Sequence, residues 1–222
     1  ADVPNPESPL AVDRVVDLPD GFLRALDRDR RSQQRAVPIT ETTGGMNAVL
    51  ALNIEYQRTK AAGGMNKRAI DSDDQDALNE AARAYFRFEP ESNDLAIELF
   101  RRLTLSKHID VRAIAYAGEG CAYAQRNIRF GEPASRAKPQ ALSSAKGALM
   151  ADPKLARAHL AMALALSIEP APDEAAESLR ELVRATDLDW TDPWCWAERA
   201  RAHWMRSDRQ ASREALDRAL AL

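Results

Sequence analysis

The sequence predicts an all-α fold. Helices in hairpin pairs form a superhelix over residues 71–222, behind an extension of mixed or irregular structure over residues 1–70. Three observations predict it. From Leu78 onward, apolar and small residues recur at spacings of three and four, which places them on one face of an α-helix. Two Asp-Pro pairs, Asp152-Pro153 and Asp192-Pro193, fall at matching places, and a proline there starts a helix without losing a needed N–H. Around these marks the helices come as about four pairs with similar letters.

Composition narrows the function. A chain of 222 residues can bury a sizeable core, and 45% hydrophobic with 29% charged residues is ordinary for a soluble protein. The net charge of −3 gives no whole-chain reason to expect nucleic acid. No apolar run approaches about 18 residues, so no membrane span is expected. The start, Ala1-Asp2-Val3-Pro4, has no basic and apolar signal pattern. The expected compartment is the cytoplasm, or the periplasm if Ala1 is a mature terminus. Cys121 and Cys195 lie far apart inside helical patterns, and the three histidines are singletons. Two buried free thiols are expected, with no metal site, no cofactor and no disulfide framework.

Residues 1–17 carry Pro4, Pro6 and Pro9 and read as an extended arm; Leu18-Pro19-Asp20-Gly21 reads as a turn. Phe22, Leu23 and Leu26 suggest a short amphipathic helix that ends in the run Arg28 to Arg35. That run reads as a solvated face ahead of a phosphate contact. Gly-Gly-Met-Asn occurs twice, at Gly44 and Gly63, bounding a helical or strand segment from Ala48 to Lys60. It lacks the letters of a phosphate loop and reads as turn chemistry. The acidic run Asp71 to Asp76 precedes Ala77-Leu78, and complements the positive end of a helix starting there.

The pairs read as follows. Leu78, Ala81, Ala82 and Tyr85 make one helix, with Ala96, Phe100 and Leu103 on the next. Tyr116, Glu119, Gly120 and Tyr123 pair with Ala141, Ala145 and Ala148 across a long link from Arg126 to Pro139. His159, Met162, Ala163 and Leu166 pair with Ala175, Leu179 and Leu182. Trp196, Arg199, Ala200 and His203 pair with Ser212, Leu216 and Ala219. These letters resemble the tetratricopeptide repeat, whose first helix follows Trp-x2-Leu-Gly-x2-Tyr and whose second follows Ala-x3-Phe-x2-Ala. Glu119 stands where the family has leucine. Tyr116, His159 and Trp196 are 43 and 37 residues apart (159 − 116; 196 − 159), against a family norm of about 34, and the excess is expected in the turns. The segment Ala81 to Ala124 is also similar to the irregular repeats attached to bacterial nucleotide cyclases and winged-helix regulators. It carries the run Asn93 to Phe100, then Ala115-Tyr116-Ala117-Gly118.

The resemblance implies a non-enzymatic scaffold that binds another protein or peptide in a concave groove lined by first helices, in a bacterial regulatory or assembly complex. The helical period then turns Ile114, Ala117 and Cys121 toward the groove, with Arg157, Leu160 and Leu164 in the third pair. In the fourth pair it turns Trp194, Ala197, Arg201 and Trp204 there. Such a groove suits an apolar or amphipathic peptide with a carboxylate. Trp194 and Trp204 fit groove and core equally, Trp196 reads as core, and His159 and His203 read as satisfied packing histidines. The last helix lacks a polar cap, so a homo-oligomer through it is a second expectation. A small-ligand sensor or enzyme formed with the N-terminal segment is a third.

Overall fold

Eight helices follow one another through short turns in the computed structural model, which describes residues 72–222. They are α1 (Ser72–Tyr85), α2 (Pro90–Leu103), α3 (Ile109–Phe130), α4 (Ala134–Ala151), α5 (Ala156–Leu166), α6 (Pro172–Leu188), α7 (Pro193–Met205) and α8 (Arg209–Ala221). The extended arm, the Arg28 to Arg35 run and both Gly-Gly-Met-Asn turns lie outside the described residues.

Local chemistry sets the boundaries. Proline opens α2, α6 and α7 in the first turn, where a missing N–H costs nothing. Asp192 and Asp208 cap α7 and α8, accepting hydrogen bonds from Trp194 N and Ala211 N. Gly131 ends α3 in the left-handed conformation (φ 72°), and its N–H donates to Asn127 O. A side chain is strained there, so glycine is the residue that lets the chain turn into α4. The acidic run differs from expectation in place. Helix α1 starts at Ser72, so Asp73 and Asp74 lie in its first turn, and Asp74 accepts a hydrogen bond from Ser106 Oγ at 2.5 Å.

Each odd-numbered helix packs antiparallel-hairpin fashion on the next, giving four sequential pairs, and the second helix of each pair meets the first helix of the following one. Helix α3 also lies against α1 and α5. Alanine makes much of this possible. Ala96, Ala115, Ala122, Ala141, Ala145, Ala148, Ala158, Ala161 and Ala163 are buried, and their small side chains bring helix backbones close. Leu160, Ile168, Leu182 and Val111 fill the remaining interior. In the last two pairs the same device recurs. Ser178 Oγ donates to Ala163 O (2.8 Å) and Ser212 Oγ donates to Ala200 O (2.9 Å), two serines 34 residues apart (212 − 178).

Two glycines mark the closest approaches. A methyl group on Gly120 would sit 3.2 Å from Ala145 N and 3.3 Å from Ala141 O, so α3 and α4 touch backbone to backbone there. A methyl on Gly118 would lie 2.5 Å from the Phe100 ring, which is itself buried. Gly118→Ala is expected to destabilise the fold by about 1–2 kcal/mol. The overpacking strain of about 1–3 kcal/mol outweighs the roughly 1 kcal/mol gained in helix propensity. A denaturant titration checks this; a stabilised variant would show that the ring is free to move.

Two expectations are corrected. The long link from Arg126 to Pro139 shrinks to Gly131, Glu132 and Pro133, because α3 continues to Phe130 and α4 runs through Pro139. Ser135 and Pro139 are both exposed, so water can serve the carbonyl that the missing proline N–H leaves. Much of the excess over the 34-residue spacing is therefore taken up by a 22-residue α3 and an 18-residue α4 rather than by the turns. Trp196 is not core. It is part-exposed, donates from Nε1 to Trp190 O (2.9 Å), and lies under the Arg199 guanidinium (5.1 Å).

Candidate binding face

The period that turns Ile114, Ala117 and Cys121 to one side of α3 places them along a recess, with Gly118 between them. Ala82 and Tyr85 of α1, Phe86 of the turn after it, Phe100 of α2 and Arg157 of α5 complete its wall. The space enclosed is about 350 Å³, counting the part open to solvent. Gly118 keeps the floor low enough for Phe100 to lie flat beneath it. Burial pushes the Tyr85 hydroxyl well above its ordinary pKa. Burial likewise pushes the Cys121 thiol up to about 12, with the Arg157 guanidinium pulling weakly the other way. Cys121 is therefore a neutral, apolar part of the wall.

Arg157 is buried and ion-paired: its Nε lies 2.9 Å from Asp192 Oδ2. The other carboxylate oxygen, Asp192 Oδ1, accepts from Trp194 N at 2.9 Å. Cys195 Sγ sits 3.6 Å from Oδ2. One carboxylate thus caps α7 and neutralises a cation on α5. Sequence reading used the Asp192-Pro193 pair only as a boundary, although the proline that follows marks Asp192 as a cap.

The other expected groove residues divide. Leu160 and Leu164 are buried in the core and present no surface. Helix α5 has only 11 residues and is covered by α3, α4 and α6, so nearly every side chain on it is interior. Arg201 pairs with Glu198 (Nε to Oε2, 2.6 Å) and reaches Ser167 Oγ at 3.3 Å. Trp204 is exposed under the Arg209 guanidinium, 3.8 Å from its ring. Trp194 packs across the molecule on the turn between α1 and α2. It meets Phe86 edge-on (5.8 Å, 87°) and stacks on Phe88 (5.9 Å, 25°). The first and fourth hairpins are therefore joined by aromatic rings. Nothing in the letters Arg87-Phe88-Glu89-Pro90 announces this contact, because the partner is more than a hundred residues away.

The partners of two buried acids were also missed. Glu119 accepts from Arg101 Nε (3.2 Å) and Ser144 Oγ (3.0 Å), which explains how a carboxylate occupies a leucine position. Glu181 lies 2.6 Å from His159 Nδ1 and 2.9 Å from Arg184. His159 Nε2 lies 3.0 Å from Pro153 O, so both ring nitrogens of this histidine are engaged. His203 lies 3.5 Å from Asp208. Among the described residues, no three His, Cys, Asp or Glu side chains gather as a metal site, and no helix is long and apolar enough to cross a membrane. No protein-family model matches the chain, and no curated protein matches it.

Proposed function

We propose that this chain is a non-enzymatic, tetratricopeptide-like scaffold that binds a segment of a partner protein along its first helices, within a bacterial regulatory or assembly complex. The observation that carries the reading is the convergence of first helices on one recess. Tyr85 and Phe86 come from α1 and its following turn, Ile114 and Cys121 from α3, and Arg157 from α5. Trp194 of α7 packs on Phe86. Recesses walled by aromatic and aliphatic side chains with a few placed polar groups are where extended ligands anchor. The 34-residue spacing of Ser178 and Ser212 matches the length of one such repeat. Two free, buried cysteines fit a reducing cytoplasm.

The test is a peptide array probed with the native chain and with Trp194→Ala and Arg201→Ala. Binding is expected to weaken about tenfold or more with Trp194→Ala and less with Arg201→Ala, since a stacked aromatic anchor outweighs a part-exposed cation. Met150→Ala, on an exposed side chain at the far end of α4, serves as the control and should bind as the native chain does. Equal binding by all variants would remove the groove assignment.

A further inference from the structure

Phe88 is one of three non-glycine residues with a positive φ among the described ones, with Glu169 and Ser207, and it is the aromatic one. It adopts φ 56°, a left-handed conformation that an aromatic side chain disfavours and glycine accepts freely. Such strain persists only where surrounding contacts hold it, and it gathers at functional sites. Here the contacts are two walls on the ends of helices. Arg129, in the last turn of α3, holds its guanidinium 4.4 Å from the centre of the Phe88 ring. Trp194, in the first turn of α7, stacks nearly parallel to the ring at 5.9 Å. Asp192 fixes Trp194 by capping α7. The walls thus belong to helices, while Phe88 belongs to a four-residue turn and stays 36% exposed. Phe88 can leave without unwinding either helix.

We infer that Arg129 and Trp194 form a slot for an aromatic side chain of the bound peptide, and that Phe88 is a self-ligand that occupies it until displaced. This rests on the scaffold reading for the nature of the ligand. The chemistry of the slot selects the ligand class. The indole offers a stacking face and the guanidinium offers a cation to the same ring, a pairing that favours an aromatic ring over an aliphatic chain. The buried Trp194 Nε1 has no hydrogen-bond partner among the described residues. Buried donors are nearly always satisfied, and a backbone carbonyl beside the incoming ring would satisfy this one. Displacement also relieves the left-handed backbone at residue 88, so ligand binding is coupled to release of strain.

The experiment uses the whole chain and two blocked amino acids, N-acetylphenylalaninamide and N-acetylleucinamide, titrated while the Trp194 indole N–H is followed by NMR. Phe88→Gly empties the slot and suits the existing φ; Phe88→Ala repeats the opening with a different backbone preference. Both are expected to bind the phenylalanine probe at least about tenfold tighter than the native chain, with the Trp194 signal shifting. The leucine probe is expected to bind about tenfold more weakly than the phenylalanine probe, for want of stacking and cation–π contact. Trp194→Ala added to Phe88→Gly should abolish the gain. Equal binding by native and opened chains, equal binding of both probes, or binding that survives loss of Trp194 would each overturn the slot. If the slot fails while peptide capture still depends on Trp194, the scaffold reading stands alone. If the slot binds the probe while no peptide is held, the slot stands and the scaffold reading falls.

Discussion

Asp192→Ala is expected to lower folding stability by about 3–5 kcal/mol, because it breaks a buried ion pair by removing one partner. Arg157 would keep a buried guanidinium whose counter-charge is gone, since the pair is closed at 2.9 Å with both side chains under a tenth exposed. The same change strips the cap of α7, a loss of roughly 1 kcal/mol by itself. Asp192→Asn separates the two effects. Asparagine caps as well as aspartate, so the Trp194 N–H keeps its acceptor while the charge is lost. Urea unfolding should then rank the native chain above Asp192→Asn, and Asp192→Asn above Asp192→Ala. The joint replacement Arg157→Met with Asp192→Asn should recover most of the loss, since no charge is left buried. A variant Asp192→Asn as stable as the native chain would show that the charge pairing contributes nothing.

The second large effect is expected at Glu181. Its carboxylate lies against His159 Nδ1, and His159 Nε2 faces the carbonyl of Pro153. A carbonyl can only accept, so Nε2 carries a proton there. The carboxylate also accepts unless it is itself protonated, so the pair needs one further proton between Nδ1 and Oε2. Glu181→Ala removes that partner and leaves a buried ring nitrogen unpaired beside a new void, which is expected to cost about 3–5 kcal/mol. Glu181→Gln behaves differently. A glutamine amide donates to a neutral Nδ1 while Nε2 still donates to Pro153 O, so every atom is satisfied and the loss should stay near 1 kcal/mol. Thermal or urea unfolding of the two variants checks this. A glutamine variant as unstable as the alanine variant would mean that the pair requires charge rather than hydrogen-bond matching.

Helix positions followed from near-neighbour chemistry. Proline at a first turn, glycine in a left-handed cap and apolar residues at three- and four-residue spacing act within a few residues. So α2, α6 and α7 begin where these letters stand, whereas α3 runs past Arg126, where the link was expected to start, to its glycine cap at Gly131. The same reasoning turned Cys121 and Arg157 toward one recess, because α1, α3 and α5 lie alongside one another and a period measured on one helix carries to the next. It failed at Pro139, where the rule that proline breaks helices gave way to an exposed second turn. It failed at Leu160 and Leu164, because a period names a face without saying how many neighbours will cover the helix.

The long-range contacts around the candidate face were out of reach of any local rule. Phe88 meets Trp194, Arg157 meets Asp192 and His159 meets Glu181 across turns and between hairpins. An isolated charge or ring in a sequence carries no mark of its partner. The letters alone therefore established that residues 72–222 are all-helical and built of hairpins. Packing decided which charges are buried, because a carboxylate or guanidinium leaves water only where an opposite group has been brought to meet it. Packing also decided that the fourth hairpin would close on the first, since two aromatic turns gain contact area only after every intervening helix has set their distance.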